Sequence, residues 1–340
     1  MVEQFGLRHS LLLQRLLPSI ERLDMVHALT RPRDPLTVAM MSPFPWRGIG
    51  IATYVLQETG DSAPLQGFVQ VLKRPERPES DILALAPALT SEQPDADEIW
   101  VRLLTRMALG AGHHGVQRIF ASVPADGREA DVLRQVGFVP YTQETIFRLD
   151  GGPSARPADA DAGIRRQQDA DAWAFQRLYH ATTPPVVQHA EGPAASESKG
   201  FLPAWWESGL HAQGYVAGGA DALAAAVQIV SGPAGHWLRL WSGDGDAQTA
   251  GRLVDWCLTA VRSAHKARPI YLALRDYQGG LRTMLEERNF HPYLRRTRLV
   301  KHLVVRVRET EPVLMPVPGL ASSVFMLHIR SLWDCKTVGL

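Results

Sequence analysis

The chain has 340 residues, 45% of them hydrophobic and 21% charged, with Lys+Arg 36 against Asp+Glu 35. That length suits two domains of about 100–200 residues, and the balanced charge argues against a nucleic-acid footprint spread over the surface. Cys257 and Cys335 are too few for a disulfide framework or a cysteine zinc site, so a reducing compartment is expected. No run reaches about 18 uninterrupted apolar residues, so no membrane partner is expected and a cytoplasmic protein is.

In chain order, helical spacing covers residues 9–29, broken or kinked at Pro18. Strand-like runs rich in Val, Ile and Leu follow at 36–41, 50–58, 65–73 and 81–86. Trp100, Leu103, Leu104, Met107 and Ala108 then fall on one face of a helix, with Asp95 or Asp97 as its cap. A buried strand at 118–123, a short helix at 127–135 and a strand pair out to 149 complete the first half. Residues 150–161, rich in Pro, Gly, Ala and Asp, read as a linker.

The second half repeats this order: strand 163–167, helix 169–180, strands 213–216, 223–231 and 235–242, helix 249–264, strand 269–274, helix 279–287 and a strand region 290–307. A long polar stretch, 182–204, reads as a loop. The tail, 311–340, has no counterpart in the first half; its apolar stretch would cap the second domain or engage another subunit.

The halves share a written signature. LRQVGFVPY at 133–141 returns as LEERNFHPY at 285–293, with a constant spacing of 152 residues from Leu133 to Leu285 and from Tyr141 to Tyr293. Asn289 replaces Gly137, and Asn tolerates positive φ best among the other residues. A repeat this long is a duplicated domain rather than a solenoid unit.

The element order, and the helix running into Leu-x-x-x-Gly-Phe and then a strand, resemble the GNAT (Gcn5-related N-acetyltransferase) fold. The resemblance covers most of residues 36–149 and 162–307. It implies an α+β protein of two tandem GNAT-like domains, each a mixed, mostly antiparallel sheet flanked by helices. Residues 1–149 would form the first domain and 162–310 the second. It also implies acetyl-CoA as cosubstrate, held in a gap between two central strands with its diphosphate on a Gly-rich loop opening the long helix. The acceptor would be an amine on a small molecule or a protein.

Neither half keeps the family's parts intact. The first-half loop, SEQPDADEIW at 91–100, has no Gly-x-Gly and carries four acids, so that domain is expected to have lost its cofactor. The second-half loop has Gly243 and Gly245, flanked by Asp244 and Asp246. There the resemblance points to Leu240, Trp241, Ser242, Gly243, Gly245 and Ala247 for the cofactor, although a plain turn with an aspartate cap explains the same residues. The family's thiolate-protonating tyrosine is Leu133 in one half and Leu285 in the other, which leaves Tyr293, or less readily Tyr141, as substitute acid.

His189 and Glu191, on the long loop, are candidates for a base. Trp205 and Trp206 are candidates for an apolar wall. Arg295, Arg296, Arg298 and Lys301 divide between two strand faces and read as a solvated edge. Two functions follow: an N-acyltransferase using acetyl-CoA or another acyl-CoA, active in its second copy, or a degenerate pair serving as a binding or regulatory module.

Overall fold

The computed structural model describes residues 1–41, 50–58, 64–74, 77–90, 93, 95–150, 163–192, 211–219, 221–243, 246–264 and 268–303. The first half runs β1 (Val2–Gln4), α1 (Ser10–Leu16), β2 (Glu21–Arg22), α2 (Met25–Thr30), α3 (Pro35–Met41), β3 (Ile51–Gln57), β4 (Gln66–Lys73), β5 (Glu79–Ala86), α4 (Ala96–His113), β6 (Arg118–Pro124), α5 (Glu129–Gln135) and β7 (Val139–Leu149). The second runs β8 (Ile164–Arg166), α6 (Ala172–Thr182), α7 (Pro185–Glu191), β9 (His211–Gly218), β10 (Leu223–Ser231), β11 (His236–Ser242), α8 (Ala247–Ala264), β12 (Ile270–Arg275), α9 (Arg282–Glu286) and β13 (His291–His302).

The break expected at Pro18 within 9–29 is a 3₁₀ turn that ends the first helix, after which the chain extends as β2 before α2. Three expectations are corrected. The run 36–41 is helix α3, not a strand: Asp34 accepts from the Thr37 amide at 2.9 Å and Pro35 is already set for a first helical position. Within the expected loop 182–204 lies helix α7, opened by Pro184 and Pro185 and held by burial of Val187 and Ala190. The expected strand pair to 149 is one continuous strand, β7. The linker after Asp150, Trp205, Trp206, Cys335 and the tail lie outside the described residues.

The strands join in one sheet of order β1-β3-β4-β5-β6-β13-β7-β12-β11-β10-β9-β8, with β2 attached to β5. The order is palindromic once repeat equivalents are matched. Each half places its terminal strand against the other half: β13 pairs with β6, and β7 pairs with β12. The two terminal strands also pair with each other, and Glu144 stands opposite Arg296, residues separated by the repeat spacing of 152. A pseudo-twofold axis therefore passes between them. The described residues gather into one compact unit.

Both faces are covered. On one face α4 packs through Ile99, Trp100, Leu103, Leu104 and Met107, and α8 through Leu253, Val254, Cys257 and Leu258. On the other face the halves interleave. Met25 and Val26 of α2 bury against Val230, Trp237 and Tyr271 of the second half, while Val187 and Ala190 of α7 bury against Phe120 and Tyr141 of the first. The repeated turn behaves as its sequence predicts, with Gly137 at φ +84° and Asn289 at φ +62°.

Candidate functional site

In each half the parallel central strands pair only at one end and then part. In the first half β5 and β6 pair from Glu79↔Arg118 to Asp81↔Phe120. Beyond that the gap is filled by the chain's own β2, with Glu21↔Leu85 and Arg22↔Ala84 in register. Leu23 closes the bridge: its amide donates to the Leu83 carbonyl at 2.9 Å, and its carbonyl accepts from the Ser122 amide at 3.0 Å. Its side chain is 1% exposed, packed with Ile82, Leu85 and Trp100. Arg296 fixes the insert from β13, donating to the Arg22 carbonyl at 2.8 Å and to the Ser122 carbonyl.

In the second half β11 and β12 pair from His236↔Ile270 to Arg239↔Ala273. The next rung of a parallel ladder would join the Arg275 amide to the Leu240 carbonyl. Instead the Gln278 side chain stands between them, accepting from the Arg275 amide at 3.1 Å and donating to the Leu240 carbonyl at 2.8 Å. One side-chain amide thus wedges the strands apart at the level where the long helix α8 begins.

The turn before α8 behaves largely as a capped turn. The Gly243 amide donates to the Ala224 carbonyl at 3.0 Å, and the Asp246 carboxylate accepts from the Thr249 amide at 2.8 Å. These Thr249 hydrogen bonds hold the Asp246 pKa below its ordinary value, so an anion arriving here meets a carboxylate. Arg252, donating to Thr249 Oγ1 at 3.2 Å, is the near counter-charge. Leu240, Trp241, Ser242, Gly243 and Ala247 are therefore consecutive along the end of β11 and the turn into α8, beside the wedge. Gly245 lies outside the described residues.

Tyr293 is not part of this group. It stacks near Tyr271, with ring centroids 5.8 Å apart, and under the Arg148 guanidinium. Tyr271 lies four residues before Arg275 on β12, about 13 Å from the wedge at ~3.3 Å per residue. Tyr293 borders a cavity of ≈ 600 Å³ that also touches Gln143, Leu274, Arg275, Gly279 and Arg282, so this cavity reaches the strand end beside the wedge.

Beside the wedge, on the face away from α8, lies a buried ionic network that the sequence did not reveal. Glu191, the last residue of α7, accepts from Arg239 at 2.7 Å, Arg275 at 2.8 Å and the Tyr141 hydroxyl at 3.1 Å. Glu144 pairs with Arg275 at 3.3 Å and Arg298 at 3.5 Å, and Arg298 also donates to Tyr141 Oη at 3.0 Å. Burial alone would raise the Glu191 pKa. Arg239, Arg275 and Arg298 outweigh it and hold the carboxyl well below the usual carboxylate range, so Glu191 is no base near neutral pH.

The basic strand is likewise not an edge. β13 lies inside the sheet, Arg296 is 5% exposed, and only the division of its arginines between faces matches expectation. His189 sits near His302, ring centroids 5.5 Å apart. Trp241, Phe175 and Tyr179 form the apolar wall of this face. Among the described residues there is no His, Cys, Asp or Glu cluster suited to a metal, and no helix is long and apolar enough to cross a membrane.

No protein-family model matches the chain, and no curated protein does. Solved structures do. A GCN5-related N-acetyltransferase from Sphaerobacter thermophilus is similar at TM-score 0.51 and 11% identity, over 89% of this chain and 95% of that one. A tandem GNAT protein from the clavulanic acid biosynthesis pathway is similar at TM-score 0.49 and 14% identity, over 89% of this chain and 98% of that one. At such identity the likeness is one of fold. The chain has the α+β GNAT acetyltransferase fold over most of its length, present as two copies in tandem.

Proposed function

We propose that the protein is an N-acyltransferase of the GNAT class, moving an acyl group from acetyl-CoA or another acyl-CoA to an amine, and that its second half carries the site. The observation that carries this reading is the contrast between the two gaps. The first is filled by residues 21–23 of the chain itself, whereas the second is held apart by Gln278.

When bound, the acyl-CoA supplies an activated thioester carbonyl. Leu240, Trp241 and Ser242 would flank its arm; Gly243, Gly245, Ala247 and the first turn of α8 would face its diphosphate, with Arg252 offsetting Asp246. A backbone amide of β11 would polarise the carbonyl. The amine would approach over Trp241 and Tyr179, on the face opposite α8. Tyr293, which borders the cavity that reaches Leu274 and Arg275, would be the acid that protonates the departing thiolate.

A second reading, a GNAT-like binding or regulatory protein without transfer chemistry, is favoured by the Asp246 carboxylate in the turn and by the aliphatic residues at 133 and 285. Calorimetric titration of acetyl-CoA into the full chain and its Gly245→Asp variant separates the two. Micromolar binding at one site per chain, lost in the variant, is the expected result. Two equivalent sites would contradict the assignment to the second half, and absence of binding would favour the second reading.

A further inference from the structure

Resting on the acyltransferase reading, we propose that the acceptor amine carries a carboxylate, received by Arg239 and Arg275 in the place that Glu191 occupies. Position comes first. Arg239 and Arg275 rise from the two strands that part at the Gln278 wedge, beside Trp241, over whose ring the Arg239 guanidinium lies at 4.9 Å. A group anchored on this pair lies next to the end of the gap where an acyl carbonyl would be presented.

Unmet hydrogen bonding points the same way. Arg275 Nη1 and the Tyr179 hydroxyl are buried with no hydrogen-bond partner among the described residues, and the two side chains are only 5% and 2% exposed. Both belong to one electrostatic neighbourhood, since Tyr179 responds to Glu191, Arg239 and Arg275 alike. An arginine nitrogen only donates and a hydroxyl donates or accepts, so the group both can satisfy is an acceptor-rich one. A planar carboxylate fits a guanidinium fork best.

Charge fits the same occupant: Arg239 and Arg275 already pair with the Glu191 carboxylate, so a ligand carboxylate in its place leaves the charge of the network unchanged. Glu191 acts as an internal stand-in for the ligand. It sits on the last residue of a seven-residue helix capped by Gly192 at φ +73°, so this carboxylate is carried by a helix end and not by the sheet.

The test has two arms on the full chain. In the first, succinate, a probe with carboxylates and no amine, is titrated into the wild type, E191Q and R275M. The expected result is binding about tenfold tighter in E191Q than in the wild type and lost in R275M. R239M, at the more exposed arginine, decides in place of either variant that fails to fold. In the second arm, β-alanine and ethanolamine compete as acceptors with acetyl-CoA, and β-alanine is expected to have a kcat/KM at least about tenfold higher.

Equal turnover of the two amines, or failure of both wild type and E191Q to bind succinate, overturns the carboxylate site while leaving acyl transfer intact. Failure of acetyl-CoA to bind overturns the acyltransferase reading instead, and the succinate arm then judges the anion site alone.

Discussion

Glu191 shows how neighbours decide what a residue can do. Three guanidiniums surround its carboxylate, and attraction at such short range outweighs the desolvation that burial imposes. Because its folded pKa is depressed, its stabilisation is complete above the unfolded value of 4.5 and drains as pH falls toward the folded value. Thermal unfolding followed from about pH 7 to pH 2 should therefore show an acid limb that is shallower in Glu191→Gln. The same variant should lose about 2–3 kcal/mol at neutral pH, less than the full cost of emptying one side of a buried pair, because glutamine still accepts hydrogen bonds. An unchanged acid limb would mean that the Glu191 charge contributes nothing to folding.

Among the elements, α2 and α7 tie the halves together on the face away from α4 and α8, and α2 does so through a turn contact as well. Its buried Met25 and Val26 lie on strands of the second half, and its end touches the β10–β11 turn, where the Ala234 amide donates to the Thr30 carbonyl at 2.9 Å. Gly232 permits that approach, since a Cβ there would meet the Thr30 carbonyl oxygen at 2.2 Å. Neither partner is a flexible side chain that could step aside. Gly232→Ala should cost about 1–3 kcal/mol in urea unfolding, whereas Gly219→Ala, whose Cβ meets nothing within 4 Å, should stay within about 0.5 kcal/mol. Equal effects at both positions would argue against this docking.

For the whole molecule, the exchange of terminal strands makes each half incomplete. Without β13 the first half exposes the long inner edge of β6, and without β7 the second exposes β12. Residues 1–150 and 151–340 produced separately should not give folded monomers, while the two co-expressed should assemble. Size-exclusion chromatography with circular dichroism checks this. A cooperatively unfolding monomer from either segment alone would show that the exchange is dispensable. The pseudo-twofold between Glu144 and Arg296 also explains why a basic run that looks like a solvated edge is central: Arg296 crosses the junction to the Arg22 carbonyl.

The sequence by itself determined the duplication, the repeated turn at Gly137 and Asn289, and the α+β content, because each is written in local periodicity or in one residue's φ preference. Helices α4 and α8 and buried strands β6 and β12 were legible for that reason. Helices α3 and α7 were not, since seven residues each are too few for period to separate helix from strand or loop, and a cap or a packing surface decides. Tertiary structure alone decided strand order, the filling of the first gap by β2, the Gln278 wedge and the Glu191 network. The network draws on five separate elements, with Tyr141 and Glu144 on β7 and Glu191, Arg239, Arg275 and Arg298 on four others, and strand exchange is what brings β7 and β13 beside them. Pairing between distant segments depends on which edges remain free once the local elements have formed, and that information is held by the assembled sheet rather than by any stretch of it.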